Sequence, residues 1–291
     1  MKRAVLKKKS KELILHSLTK KTKENIAIIK SIENFFIQMR GYVFKMPKPG
    51  TPVVVSLSGG ADSVITTAIL LEEYGLEVFP FFISRGQKAE KPELKSVKYF
   101  SKYFSKHYPN LYHKPVIMSV PNPASEIKHL LKESLIEGTG YPMRNSIIIE
   151  YGAQYAFGLG SEGVHVRNIF CSFVACDGDF GAQTSMTGLR SLMQHICIDM
   201  GDMTWQVTAL PLEKEMGFYL DKDDLLRWAK SVDLPVENTR SCFGSQEKHC
   251  GVCYACKHRK ISFEDARLED KTKYLDTRAS KDLPQEDSSF L

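Results

Sequence analysis

Three observations predict an α/β fold with a doubly wound, mainly parallel sheet. From residue 53 onward, short β-branched runs alternate with stretches of helical periodicity, the pattern of right-handed βαβ crossovers. The first run leads directly into Ser58-Gly59-Gly60-Ala61-Asp62-Ser63 and then a helix. Folds of this kind bind ligands there, beyond the carboxyl ends of the strands. The alternation stops at Ser241, where a cysteine-rich texture takes over.

Residues 1–23 are lysine-rich and weakly patterned. From Glu24 to Met39, apolar residues recur at Ile28, Ile29, Ile32, Phe35, Phe36 and Met39, the spacing of a helix with one apolar face. Met46-Pro47-Lys48-Pro49-Gly50 then breaks the chain. The pattern next predicts a strand at 53–58, a helix over 62–74 stopped by Gly75, a strand at 77–84, a helix over 92–106 and a strand at 116–120. Helices over 125–136 and 145–159 follow, then a strand at 168–175, a helix over 187–200, a strand at 205–212 and a short helix at 221–230. Four units result: a basic N-terminal extension with one amphipathic helix (1–50), a nucleotide-binding domain (51–240), a cysteine module (241–266) and a polar tail (267–291) whose composition suits partial disorder.

The chain has 291 residues, 43% apolar and 25% charged, as in an ordinary globular protein. No run of about 18 apolar residues suggests a membrane span, and the basic start lacks an apolar signal core. Cytoplasmic residence is the expectation. Residues 1–50 carry 13 Lys/Arg against 3 Asp/Glu, a local +10 within a net charge of +6. A basic arm on a mildly acidic body suits an anionic macromolecular partner, and equally a solvated extension. Seven cysteines in such a chain point to metal or reduced thiols rather than disulfides.

The Ser58–Ser63 turn carries the sharpest chemistry. Glycines let backbone approach an anion, and the following helix offers free N–H groups. Ser58 and Ser63 can donate to phosphate oxygens. Asp62 beside phosphate makes sense if a divalent cation bridges them; the plainer alternative is a turn with Asp62 or Ser63 as helix cap. Cys242, Cys250, Cys253 and Cys256 form C-x7-C-x2-C-x2-C, and four thiolates on one knuckle suit a single tetrahedral structural Zn²⁺. His249 and His258 stand close enough to replace one thiolate. Cys171, Cys176 and Cys197 lie in apolar patterns and read as small core residues.

The Ser58–Ser63 stretch resembles the SGGxDS loop of the PP-loop ATP pyrophosphatases, which cleave ATP between the α and β phosphates. Loop and cysteine signature together resemble the QueC family, 7-cyano-7-deazaguanine synthase, over roughly Val53 to Ala266. Gly86-Gln87, Tyr141-Pro142-Met143-Arg144-Asn145, Leu220-Asp221-Lys222 and the run from Ser241 to Arg259 match its segments. The resemblance implies ATP and Mg²⁺, with Ser58, Gly59, Gly60, Asp62, Ser63, Ser84 and Gln87 on ATP and adenine over the second strand near Phe82 to Ser84. It also implies Asp62, Arg144 and Lys222 as catalytic residues, Arg144 and Asn145 on a small 7-deazaguanine substrate, and a homodimer. The family's acidic run after the fourth strand is missing from 177–185, where Asp177 or Asp179 can accept N–H bonds from a guanine-type edge.

On this reading the substrate carboxylate attacks the α-phosphate, pyrophosphate leaves into the loop, and an amine displaces AMP, ammonia giving the amide and then the nitrile. Family-like proteins occur in antiviral operons, so a protein amine is the alternative acceptor. A PP-loop tRNA thiolase would suit the basic arm but needs a reactive cysteine beyond the four clustered ones. A non-catalytic zinc-knuckle nucleic-acid binder would leave the intact loop without a purpose.

Overall fold

A computed structural model of the chain describes residues 24–131, 141–217 and 219–283. The basic run 1–23 lies outside the described residues. Five strands form one parallel sheet: β1 (Pro52–Ser56), β2 (Glu77–Ser84), β3 (Val116–Ser119), β4 (Asn168–Cys171) and β5 (Gln206–Ala209), in the order β3-β2-β1-β4-β5. The chain starts in the middle, runs outward through β2 to β3, and returns to the other side of β1. The order reverses between β1 and β4, which opens a crevice at their carboxyl ends.

The helices are α1 (Ile26–Arg40), α2 (Ala61–Glu72), α3 (Glu90–His107), α4 (Arg144–Gly158), α5 (Asp177–Phe180), α6 (Met186–Asp199), α7 (Lys222–Ser231) and α8 (Tyr254–Ala266). Strand alternation assigns them to two layers. Val53, Val55, Val78 and Phe170 pack with Ile65 of α2, Phe100 of α3 and Trp228 of α7. Val54, Phe81, Ile169 and Val207 pack on the opposite face with Ile149 of α4, Leu189 of α6 and Phe36 of α1. Period-two side-chain direction thus gives each β-branched run two buried faces. Gly152 lets α4 approach closely, since a Cβ there would stand 2.9 Å from the Phe81 ring.

The helix expected in the N-terminal extension is present and belongs to the core. Ile29 and Phe36 are almost fully buried, Asn25 Oδ1 caps α1 by accepting from Ile28 N–H at 3.1 Å, and Gly41 ends it in the left-handed region. Arg40 leaves the helix sideways and donates to the carbonyls of Tyr42, Met203, Trp205 and Val43.

Three expectations are corrected. Residues 125–131 form turns and one 3-10 turn, Lys128–Leu130, instead of the start of a helix over 125–136; 132–136 lie outside the described residues. Ile127 and Leu130 are about half exposed, so their helical spacing finds no surface to bury against. The strand read to 175 stops at Cys171, because the Asp177 carboxylate accepts from Val174 N–H and folds the chain into a tight turn. The strand read to 212 stops at Ala209, where Pro211, with no N–H for a ladder, enters the 3-10 turn Leu210–Leu212. Residues 267–283 wrap the cysteine module: Tyr274 bridges to His249, and Lys260 Nζ donates to the carbonyls of Asp276 and Arg278.

Candidate active site

Beyond the carboxyl ends of β1, β2 and β4 lies a cleft of about 490 Å³. One wall is the turn between β1 and α2. Its shape depends on Gly59, held at φ +81°, where a Cβ would stand 2.8 Å from the Glu93 carbonyl. The Gly59 carbonyl accepts from Ser96 Oγ at 2.8 Å and from Arg240 N–H at 2.7 Å, so the turn is clamped by two distant segments. Inside, the Ser58 and Ser63 hydroxyl oxygens stand 3.1 Å apart, and no side chain caps the N-terminus of α2. Its first N–H groups and helix dipole face the cleft as a ready anion site.

Asp62 and Asp177 share one cation. Lys222 Nζ lies 3.4 Å from Asp62 Oδ2 and 3.4 Å from Asp177 Oδ1. Lys222 is the first residue of α7, whose Asp221–Asp224 capping box fixes where its side chain starts. Asp62 raises the Lys222 pKa well above its usual value, more than burial lowers it. Burial and the neighbouring Asp177 raise Asp62, against the pull of Lys222. One ammonium between two carboxylates leaves the trio short of positive charge.

Opposite this trio stand Arg85, just past β2, and Arg144, the first residue of α4. Neither has a salt-bridge partner among the described residues. Burial, then the proximity of Arg85, lowers the Arg144 guanidinium to about 10. Arg85 is lowered by burial, in part offset by Glu93. Glu93 accepts from Gln87 Nε2 at 2.7 Å, and Gln87 Oε1 accepts from Arg85 N–H at 2.9 Å, which fixes the turn that presents Arg85. Asn145 is buried; its N–H donates to Gln183 Oε1 at 3.0 Å.

Of the residues expected on ATP or substrate, Ser58, Gly60, Asp62, Ser63, Gln87, Arg144, Asn145, Asp177 and Lys222 all border this cleft. Gly59 supports the turn from behind, and Ser84 closes β2 in register with Ser119 of β3. The Asp179 side chain lies outside the described residues. Sequence reasoning missed Arg85, Glu93 and Ser172. Arg85 immediately precedes Gly86-Gln87 and follows a strand end, a usable signal. Ser172 carries none; its buried Oγ has no hydrogen-bond partner among the described residues.

The cysteine module forms the far wall through Phe243, Tyr254 and His258. The sulfurs of Cys242, Cys250, Cys253 and Cys256 lie within 4.8 Å of one another, with Cys250 Sγ and Cys256 Sγ 3.8 Å apart. A tetrahedron with metal–sulfur bonds of about 2.3 Å has edges of about 3.8 Å, so the four thiolates fit a metal ion. Backbone N–H groups of Gly244 and Cys250 point at Cys242 Sγ, and that of Cys253 at Cys250 Sγ, as suits thiolates. His249 is no ligand here. Burial, with Arg259 and Arg240 nearby, lowers it to about 4, and its Nε2 accepts from Ser241 N–H at 3.1 Å.

The model of the family described as "Queuosine biosynthesis protein QueC" matches residues 52–267. The chain belongs to the QueC family. It is 26% identical over 234 residues to the 7-cyano-7-deazaguanine synthase of Nautilia profundicola, an alignment covering 76% of this chain and 97% of that protein. The enzyme of the same name from Methanobrevibacter smithii is 27% identical over 238 residues, covering 76% and 96%. Among solved structures, the U34-tRNA thiolase NcsA from Methanococcus maripaludis with its [4Fe-4S] cluster aligns over 72% of this chain and 64% of that one at 13% identity, with a TM-score of 0.34, a likeness too weak to carry an argument. The QueC segment contains the loop, both arginines, Lys222 and all four clustered cysteines, whereas α1 precedes it. No helix among the described residues is long and apolar enough to cross a membrane.

Proposed function

We propose that the chain is an ATP-dependent ligase that activates the carboxylate of 7-carboxy-7-deazaguanine as an acyl-adenylate and transfers it to an amine, ammonia giving the amide. A second ATP then adenylates the amide oxygen, which leaves with AMP as the nitrile forms. The observation that carries this reading is the pairing, within one cleft, of an uncapped helix N-terminus behind Ser58–Ser63 with the guanidinium groups of Arg85 and Arg144, which make no salt bridge among the described residues. Family membership and the names of the curated relatives supply the substrate.

The residues divide the work by charge. Ser58, Gly60 and Ser63 would take the pyrophosphate end of ATP with hydroxyls and backbone N–H groups. Arg144 and Arg85 would offset the negative charge that grows as the carboxylate oxygen bonds to the α-phosphorus and the bond to the bridging oxygen breaks. Lys222, its charge fixed by Asp62 and Asp177, orders the two carboxylates. Those carboxylates would hold Mg²⁺, which supplies charge neutralisation at the phosphates. Ser172, whose buried Oγ has no hydrogen-bond partner among the described residues, lines the cleft and would offer one to the deazaguanine ring. The amine attacks the acyl carbon as a free base and expels AMP. The clustered cysteines would hold one structural Zn²⁺ and fix the wall made by Phe243 and Tyr254.

A thiolase reading lacks a nucleophile. Cys176 borders the cleft, but burial and then Asp177 keep its thiol protonated; burial does the same for Cys171. The test is AMP formation from ATP with 7-carboxy-7-deazaguanine and ammonium, with the product weighed by mass spectrometry. One AMP per amide, or two per nitrile, is expected. No AMP with any amine would overturn the reading, and AMP formed only with a macromolecular amine would move the acceptor to a protein.

A further inference from the structure

The family match begins at residue 52, yet one residue before α1 reaches into the cleft's supporting structure. Glu24 Oε1 accepts from the Met186 N–H and from the Tyr219 hydroxyl, each at 2.6 Å. Its Oε2 accepts from Thr187 N–H at 2.8 Å and from Thr187 Oγ1 at 2.5 Å. The carboxylate thus sits on the N-terminus of α6, where the helix dipole favours an anion. It also lies against α5, since a Cβ on Gly178 would be 3.9 Å from Glu24 Oε1.

Both neighbours of Glu24 lead within a few residues to the cleft trio. Gly178 follows Asp177 directly. Tyr219, held at φ 53°, a costly conformation for a bulky side chain, is three residues before Lys222. The two strips are stitched together: Ala175 N–H donates to the Leu220 carbonyl at 2.9 Å, and Cys176 N–H donates to Asp221 Oδ1 at 2.8 Å. Burial and the Glu24 carboxylate keep the Tyr219 phenol protonated, so it remains a donor.

We infer that Glu24 is a positioning residue for the active site, one that lies outside the QueC segment and holds the Asp177 and Lys222 strips in register. The inference rests on the reading of Asp177 and Lys222 as part of an ATP-cleaving site. Removing the carboxylate frees Tyr219 from its strained setting and loosens the turn that carries Lys222, while the phosphate turn at Ser58–Ser63 is untouched. The signature is therefore a fall in kcat with little change in KM for ATP.

The experiment measures substrate-dependent AMP release by the full chain and by Glu24→Ala, Glu24→Gln, Tyr219→Phe, the double variant, and Ile32→Ala. The last opens a cavity under α1 and removes no hydrogen bond to either strip, and so controls for stability. Expected is a roughly tenfold loss of kcat in Glu24→Ala and in Tyr219→Phe at unchanged KM, with no further loss in the double variant. Glu24→Gln, which can keep an acceptor on Met186 and Tyr219, should recover most of it. Normal kcat in Glu24→Ala, or an equal loss in Ile32→Ala, would overturn the inference. A parent chain that makes no AMP would instead overturn the proposed function, so the two failures are distinct.

Discussion

The phosphate turn and the cysteine knuckle solve the same local problem with opposite ends in view. Each bends on a glycine at positive φ pressed against a carbonyl. Gly59 has φ +81° with the Glu93 oxygen 2.8 Å from a would-be Cβ; Gly251 has φ +86° with the Asp276 oxygen at 2.1 Å. Each gathers polar side chains around one point. The knuckle is closed, its four sulfurs facing one another with backbone N–H groups behind them. The turn is open, its N–H groups and the Asp62–Lys222–Asp177 trio facing a cavity. A closed set converts ligand binding into rigidity, whereas an open one keeps its unsatisfied charge for a substrate.

Asp62→Asn gives the sharpest break between the two regions. It should lower AMP formation by on the order of 10²- to 10³-fold, while thermal unfolding stays level or shifts slightly upward. One of the two acids crowding Lys222 has then been neutralised, and burial already opposes its charge. A clear drop in melting temperature would show that the trio holds structure as the knuckle does.

Cys253→Ser should act the other way. Metal content, about one ion per chain in the parent, should fall well below that by elemental analysis, and the melting temperature should drop by about 5 °C or more. Activity would follow, because Phe243 and Tyr254 ride on the knuckle. Full metal retention would mean that three sulfurs and a histidine suffice.

The paired glycines test the likeness directly. Gly251→Ala and Gly59→Ala should each cost about 1–3 kcal/mol for the strained φ, with the carbonyl overlap added to it and larger at Gly251. The first should appear in chemical denaturation and metal loss, the second as a raised KM for ATP. Identical phenotypes would erase the distinction between closed and open sites.

The smallest effect concerns pH. Arg144 keeps its charge below about 10 and sheds it as the pH climbs through that value, whereas Lys222 is held charged well above its ordinary range. On the proposed mechanism pyrophosphate release should therefore decline above about pH 10 in the parent, and the decline should move to lower pH in Arg144→Lys, because lysine starts from a lower ordinary pKa and meets the same burial and the same Arg85. A flat alkaline profile would remove Arg144 from the charge-bearing step.

Both regions could be read from the sequence because each is written in a few consecutive residues. Glycines, serines and an acid between a strand and a helix leave little else for Ser58–Ser63 to be. Four cysteines within fifteen residues do the same for the knuckle. The stretch from Ser172 to Ser185 was opaque, since it has no period and its shape comes from partners far along the chain: Leu220 and Asp221 on one side, Glu24 on the other. Arg85 escaped for a different reason. A charged residue after a strand is ordinary until its side chain proves to be buried at a cleft without a salt bridge among the described residues.

The burial of α1 has a practical consequence for anyone cutting the protein down to its family-matching part. A fragment beginning at residue 52 would bare the apolar surface of α6 and of the sheet edge that Ile29, Ile32 and Phe36 now cover. Contiguous uncovered patches of that kind drive aggregation. It would also lose Arg40, whose guanidinium ties together four backbone carbonyls from two distant loops. The smallest fragment that stays in solution should therefore start before Glu24, and the segment that looks like an appendage in a family alignment sets the real boundary of the folding unit.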